Sequence, residues 1–190
     1  MDAAKRALRR EAQACRAEAH ARDGATAGPL LRDRFLAAIE PPAGAVVSGF
    51  VPIRDEIDVM PLLAALAERG HPCALPVVAG PRQPLDFLAW APGDPLRPGP
   101  FDVPIPAPTA ARRRPELLLV PMLAFDGRGR RIGYGAGFYD ATLALLRRDG
   151  PVLAVGVAFA GQQVDAIPVE PHDQPLDWIV TERSAWRVER

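Results

Sequence analysis

Apolar runs of strand length, alternating with helical spacing, constrain this chain more than any other feature. AVVSGFVP (45–52) and CALPVV (73–78) suit buried strands, and between them PLLAALAERG (61–70) reads as a helix opened by Pro61 and closed by Gly70. A strand, helix, strand order implies a parallel pair. The pattern recurs in ELLLVPMLAF (116–125), the helical YDATLALLRR (139–148) and PVLAVGVAF (151–159), with Gly150 and Pro151 ending the helix. LDFLAW (85–90) and LDWIVTE (176–182) supply further strands. The fold class is therefore α/β, a single three-layer domain over 1–190 with a mostly parallel central sheet flanked by helices, as 190 residues and 20.4 kDa allow.

The amino-terminal part reads as two helices. In residues 2–22, Ala4, Leu8, Ala12, Cys15 and Ala19 form a weakly apolar stripe, and Lys5 and Arg9 share another face. GPLLRDRFLAAIE (28–40) is the second, stopped by Pro41 and Pro42. Prolines number 22, which favours short turns and extended connectors over long helices. Seven of them fall within residues 92–108, which reads as an extended surface connector, either an inert linker or a flap.

Composition excludes several classes. The 23 basic and 23 acidic residues leave no net charge, so no global field holds the protein on nucleic acid or an anionic membrane, and any anion site is local. The longest apolar stretches, 117–125 and 152–161, are about half of a spanning helix. Residues 1–22 lack a secretory core, and Asp2, Glu11 and Glu18 oppose a transit peptide, which places the protein in the cytoplasm. Cys15 and Cys73 have no metal-type spacing and read as buried thiols of a reducing compartment. Lys5 is the single lysine beside 22 arginines, a mild sign that this position needs an ammonium.

Chemistry concentrates between the strand ending near Phe125 and the helix beginning near Tyr139. Gly127, Gly129, Gly133, Gly135 and Gly137 lie within 11 residues, with Arg128, Arg130 and Arg131 beside them. A glycine-rich strand-to-helix loop presents backbone amides to an anion. Ile132, Tyr134, Phe138 and Tyr139 are more than a solvated tether needs. There is no GxxxxGK[ST], GYGAG is not GxGxxG, and the segment 150–160 has no acid to hold a ribose, so the loop suits a di- or triphosphate rather than NAD or FAD. Asp140 fits either a Mg²⁺ ligand beside that cradle or a helix cap, and Asp173, in EPHDQP, either a second ligand or a turn residue. His20, His71 and His172 suggest no metal or triad, and no activated Ser or Cys nucleophile is evident. A reaction run by positioning and charge stabilisation follows.

The segment LLLVPMLAFDGRGRRIGYGAGFYD (117–140), IPVEPHDQPLDWIVTE (167–182), KRALR (5–9) and FVPIRDEID (50–58) together resemble the 5-formyltetrahydrofolate cyclo-ligase (5,10-methenyltetrahydrofolate synthetase) family over nearly the whole chain. Four motifs in one order make the resemblance specific. It implies an ATP- and Mg²⁺-dependent enzyme that converts 5-formyltetrahydrofolate to 5,10-methenyltetrahydrofolate without a protein nucleophile. On the matching positions, Lys5 and Arg131 would act on the reacting phosphates. ATP would lie against Lys5, Arg6, Arg9, Arg131, Ile132, Gly133, Tyr134, Gly135, Ala136, Gly137, Phe138 and Tyr139. The folate would meet Val51, Glu56, Phe101, Tyr134 and Phe138, and Asp140 and Asp173 would serve the metal. Small-molecule substrates, no nucleic acid, no membrane and a monomer complete the expectation. Ala136, Phe138, Phe101 and Val59 depart from residues common in the family. Competing readings are a sugar-phosphate isomerase or acyl-transferase-like enzyme of related fold, and a non-catalytic nucleotide-binding or RNA-binding module.

Overall fold

A computed structural model describes residues 3–189. The expected helix start at Asp2 lies outside the described residues. A seven-stranded sheet in the order β11-β10-β9-β6-β1-β2-β3 forms the centre. Its strands are β1 (Val47–Ser48), β2 (Cys73–Val77), β3 (Asp86–Ala89), β6 (Leu117–Pro121), β9 (Leu153–Val157), β10 (Trp178–Val180) and β11 (Ala185–Arg187). The run β10, β9, β6, β1, β2 is parallel, and β3 and β11 close the two edges antiparallel.

Successive side chains of a strand point to opposite faces, so a run apolar throughout needs cover on both sides. β6 meets that need. Leu117 and Leu119 join a cluster with Leu31 and Phe35 of α1 (Ala3–Ala38) and Leu62, Leu63 and Leu66 of α2 (Met60–Glu68). Leu118 and Val120 join another with Leu143 and Leu146 of α3 (Phe138–Asp149). The three expected layers result. Pro61 lies in the first turn of α2, and Gly70, at φ 85°, ends it as the sequence suggests.

The amino-terminal expectation needs correction. One helix of 36 residues replaces two, and Pro29 sits inside it. An internal proline costs about 3 kcal/mol. Leu31 and Phe35, both fully buried two and six residues on, each return about 1.5–3 kcal/mol, enough to carry the helix through. Of the expected stripe, Ala12 and Ala19 are buried and Leu8 half-buried, but Ala4 and Cys15 are exposed. Lys5 and Arg16 share the buried face, and only Cys73 of the two thiols is buried.

Other boundaries also move. The strand expected at 45–52 is paired only at Val47–Ser48. Residues 92–108 are not a plain connector: β4 (Arg97–Pro98) and β5 (Pro104–Ile105) form a hairpin around a 3₁₀ turn at Pro100–Asp102. The run 116–125 divides, and its end, β7 (Ala124–Phe125), pairs with β8 (Arg131–Ile132), so part of the glycine segment is strand.

From β1 the chain moves to β2 on one side, then returns to set β6 on the other side of β1. The connections leaving β1 and β6 thus diverge. In an open parallel sheet this reversal opens a crevice beyond the strand carboxyl ends, the customary place for a ligand.

Candidate active site

A cleft of about 610 Å³ opens there, lined by Lys5 and Arg9 of α1, by residues 131–141 and by Glu170, His172 and Asp173. The glycine loop forms its floor. Gly137, at φ 73°, precedes the first turn of α3, a conformation that L side chains rarely adopt, and a Cβ there would meet nothing within 4 Å. The space beside Gly137 is open, and the first amides of a helix have no intrahelical partner, which together suit an anion. Gly135, at φ 100°, lies against the Arg9 guanidinium, which a Cβ would approach to 3.2 Å. Arg9 Nε donates to the Gly133 carbonyl at 2.8 Å and so ties α1 to the loop.

Arg131 is held from two sides. It donates to Asp140 Oδ1 at 2.7 Å and to the Gln174 carbonyl, and the Gln174 amide donates to the same Asp140 oxygen at 3.0 Å. Burial pulls the guanidinium below its ordinary value and Asp140 opposes that, so arginine, which does not lose its proton in proteins, presents a fixed charge. Lys5, the single lysine, donates to Glu170 Oε2 at 2.7 Å and Asp173 Oδ2 at 2.8 Å. Burial would lower its ammonium, but these two carboxylates outweigh burial and hold it above the usual lysine value. Arg6 is exposed and does not line the cleft.

Of the residues expected to meet folate, Glu56 touches Tyr134 of this loop and Phe101 touches Phe138, but Val51 is not brought to it. Glu56 is 7% exposed, in the turn after β1. Its Oε2 accepts the Ile53 amide at 3.0 Å, and its Oε1 accepts Tyr134 Oη at 3.2 Å. Burial raises its carboxyl above the ordinary range, against the pull of Arg16. Phe138 meets the Phe101 ring at 6.4 Å between centroids. Phe101 is 74% exposed at φ 59°, while Val51 packs on the sheet core.

Glu170, His172 and Asp173 offer ligand atoms within 4.8 Å of one another. Two carboxylates suit Mg²⁺, which takes a few protein oxygens and leaves the rest to water and phosphate. Asp140 lies outside this cluster, with one oxygen committed to Arg131.

Several site residues escaped the sequence reading: Arg16, Asp55, Glu170, Gln174 and Arg82. Arg16 follows Lys5, Arg9 and Ala12 on one helical face, and that basic repeat was its available signal. Arg82 reaches the cleft from the β2–β3 turn, a proximity that no local pattern announces.

Residues 1–182 match the 5-formyltetrahydrofolate cyclo-ligase family. The chain belongs to this family. A 5-formyltetrahydrofolate cyclo-ligase of Mycolicibacterium smegmatis is 34% identical over 151 residues, covering 73% of this chain and 74% of that one. One from Escherichia coli K12 is 33% identical over 148 residues, covering 74% and 79%. The structure of Aquifex aeolicus 5,10-methenyltetrahydrofolate synthetase superposes with a TM-score of 0.79 at 26% identity, over 98% of this chain and 93% of its own. A synthetase from Mycoplasma pneumoniae, at 20% identity and TM-score 0.72 over 96% and 99%, shares the cyclo-ligase fold. Membership of the cyclo-ligase family gives no support to the isomerase, acyl-transferase or non-catalytic readings. No described helix is long and apolar enough to cross a membrane.

Proposed function

We propose that this cleft closes 5-formyltetrahydrofolate to 5,10-methenyltetrahydrofolate while ATP is cleaved to ADP and phosphate. One observation carries the reading: an open glycine cradle at the start of α3, flanked by Lys5, Arg9 and Arg131, adjoins the buried Glu56, which is hydrogen-bonded to the exposed Tyr134. Backbone amides from Gly133 to Tyr139 hold the triphosphate, with Ile132 and Ala136 against it. Lys5, Arg9 and Arg131 balance its charge. Glu56 accepts hydrogen bonds from the pterin, while Phe101, Tyr134 and Phe138 wall it.

The formyl oxygen attacks the γ-phosphorus and ADP leaves. N10 then attacks the activated carbon and loses its proton, and phosphate departs with the former formyl oxygen. No protein nucleophile is required. Arg131, held rigid by Asp140 and Gln174, supplies fixed charge where negative charge shifts during transfer. Asp173 and Glu170 would hold Mg²⁺, which would neutralise phosphate charge there, while Asp140 positions Arg131. The chain works as one cytoplasmic, monomeric domain on small molecules, without nucleic acid or membrane.

The test is the absorbance of the methenyl product in mixtures that omit one component at a time. The product band should grow only with ATP, Mg²⁺ and 5-formyltetrahydrofolate all present. Product without ATP, or none with the full mixture, would refute the reading.

A further inference from the structure

Behind the cleft, one buried cation joins parts of the site that are far apart in the chain. The Arg16 side chain, on α1, is 2% exposed and does not line the cleft. Its Nη2 donates to Asp55 Oδ1 at 2.6 Å, and its Nη1 donates to Tyr134 Oη at 2.7 Å and lies 3.6 Å from Glu56 Oε1. The guanidinium carbon stands 5.5 Å from the Tyr134 ring centroid. Tyr134 Oη in turn donates a hydrogen bond to Glu56 Oε1, so α1, the turn after β1 and the glycine loop meet on one planar fork.

The fork matters most for Tyr134, because Glu56 is already buried and held through Oε2 by the Ile53 amide. Tyr134 stands between Gly133 and Gly135 and is 42% exposed, so its hydroxyl contacts supply the tether its backbone lacks. Asp55 and Glu56 are adjacent acids, and the cation between them offsets their repulsion. We propose that Arg16 is a positioning residue for the folate half of the site: it fixes the Tyr134 ring and the Glu56 carboxylate relative to each other without touching substrate. The inference rests on the proposed pterin contacts of Glu56 and Tyr134. Around Glu56 stand Arg16 from α1, Tyr134 from the loop, Tyr139 from the start of α3 and Asp55 beside it. Loss of the cation from this group makes ionising Glu56 harder.

The test compares full-length wild type, Arg16→Met, Arg16→Lys and Glu56→Gln by steady-state kinetics across pH and by hydrogen exchange of residues 133–137. Arg16→Met is expected to raise KM for 5-formyltetrahydrofolate about tenfold or more, with ATP KM changed by less than about threefold. The acid limb of kcat/KM for folate moves to higher pH, and exchange of the loop speeds by about tenfold. Arg16→Lys, a point charge without the fork, keeps the acid limb but not the folate KM. Equal rises in both KM values, or wild-type values throughout, overturn the proposal. If Arg16→Met does not fold, Arg16→Lys decides, and a normal folate KM with normal loop exchange in it is fatal. A normal folate KM in Glu56→Gln sinks the pterin reading instead; loop exchange in the Arg16 variants then decides the tether alone, and no change there overturns it.

Discussion

Among single residues, Arg131 shows how a side chain becomes a fixed charge. Its guanidinium is 7% exposed and is clamped by Asp140 and the Gln174 carbonyl, so little reorganisation would remain for the phosphate proposed to meet it. Arg131→Ala should lower kcat/KM for ATP by about 10²–10³, the usual cost of one donor to developing charge. Steady-state rates equal to wild type would remove it from the site. The thiols divide by environment. Burial pushes Cys73 up to about 11, whereas Cys15 is exposed. A maleimide should therefore modify Cys15 in the native protein and Cys73 only after denaturation, and mass spectrometry of labelled peptides would show native labelling of Cys73 if this is wrong. Lys5 was legible as the surviving lysine, but Arg16 was not, because a buried arginine and a solvated one look alike in an arginine-rich chain.

Among elements, α1 holds the clearest disagreement between local preference and tertiary packing. Gly28 and Pro29 read locally as a helix boundary, yet the helix continues to Ala38. Gly28 is needed because a Cβ would lie 2.8 Å from the Asp58 carbonyl, where α1 crosses the turn after β1. Pro29 is exposed and answers no such need. Pro29→Ala should therefore stabilise the protein: restored helix geometry contributes up to about 3 kcal/mol, reduced by about 1 kcal/mol because the unfolded chain becomes freer. A thermal scan with an unchanged or lower Tm would show that the proline is accommodated without cost. Gly28→Ala should lower Tm, since a backbone oxygen cannot swing aside. β8 and β11 were missed for a related reason: two- and three-residue strands exist by pairing, not by their own periodicity.

At the scale of the molecule, Lys5 and Asp173 join the two ends of the chain across a sequence separation of 168. Lys5 is raised despite burial, and Asp173 is lowered by Lys5 although burial opposes it. A raised lysine stabilises at pH below its unfolded value and ceases to as pH passes its folded one; a lowered aspartate stabilises above its unfolded value and loses this as pH falls. The tie is thus intact between about pH 4 and pH 10 and fails outside that span. Denaturant midpoints of Lys5→Met should differ from wild type inside this window and converge at its acid edge; a constant difference at all pH values would contradict the linkage. The sequence by itself determined the α/β class, the parallel strand-helix-strand units and the glycine-rich loop before α3, because periodicity and backbone freedom are local properties. Only the tertiary structure decided the unbroken α1, the placing of Glu56 beside Tyr134 and the role of Arg16. The first depends on packing of Leu31 and Phe35, and the other two on the reversal of strand order between β1 and β6, which sets distant loops side by side and is written in no single segment.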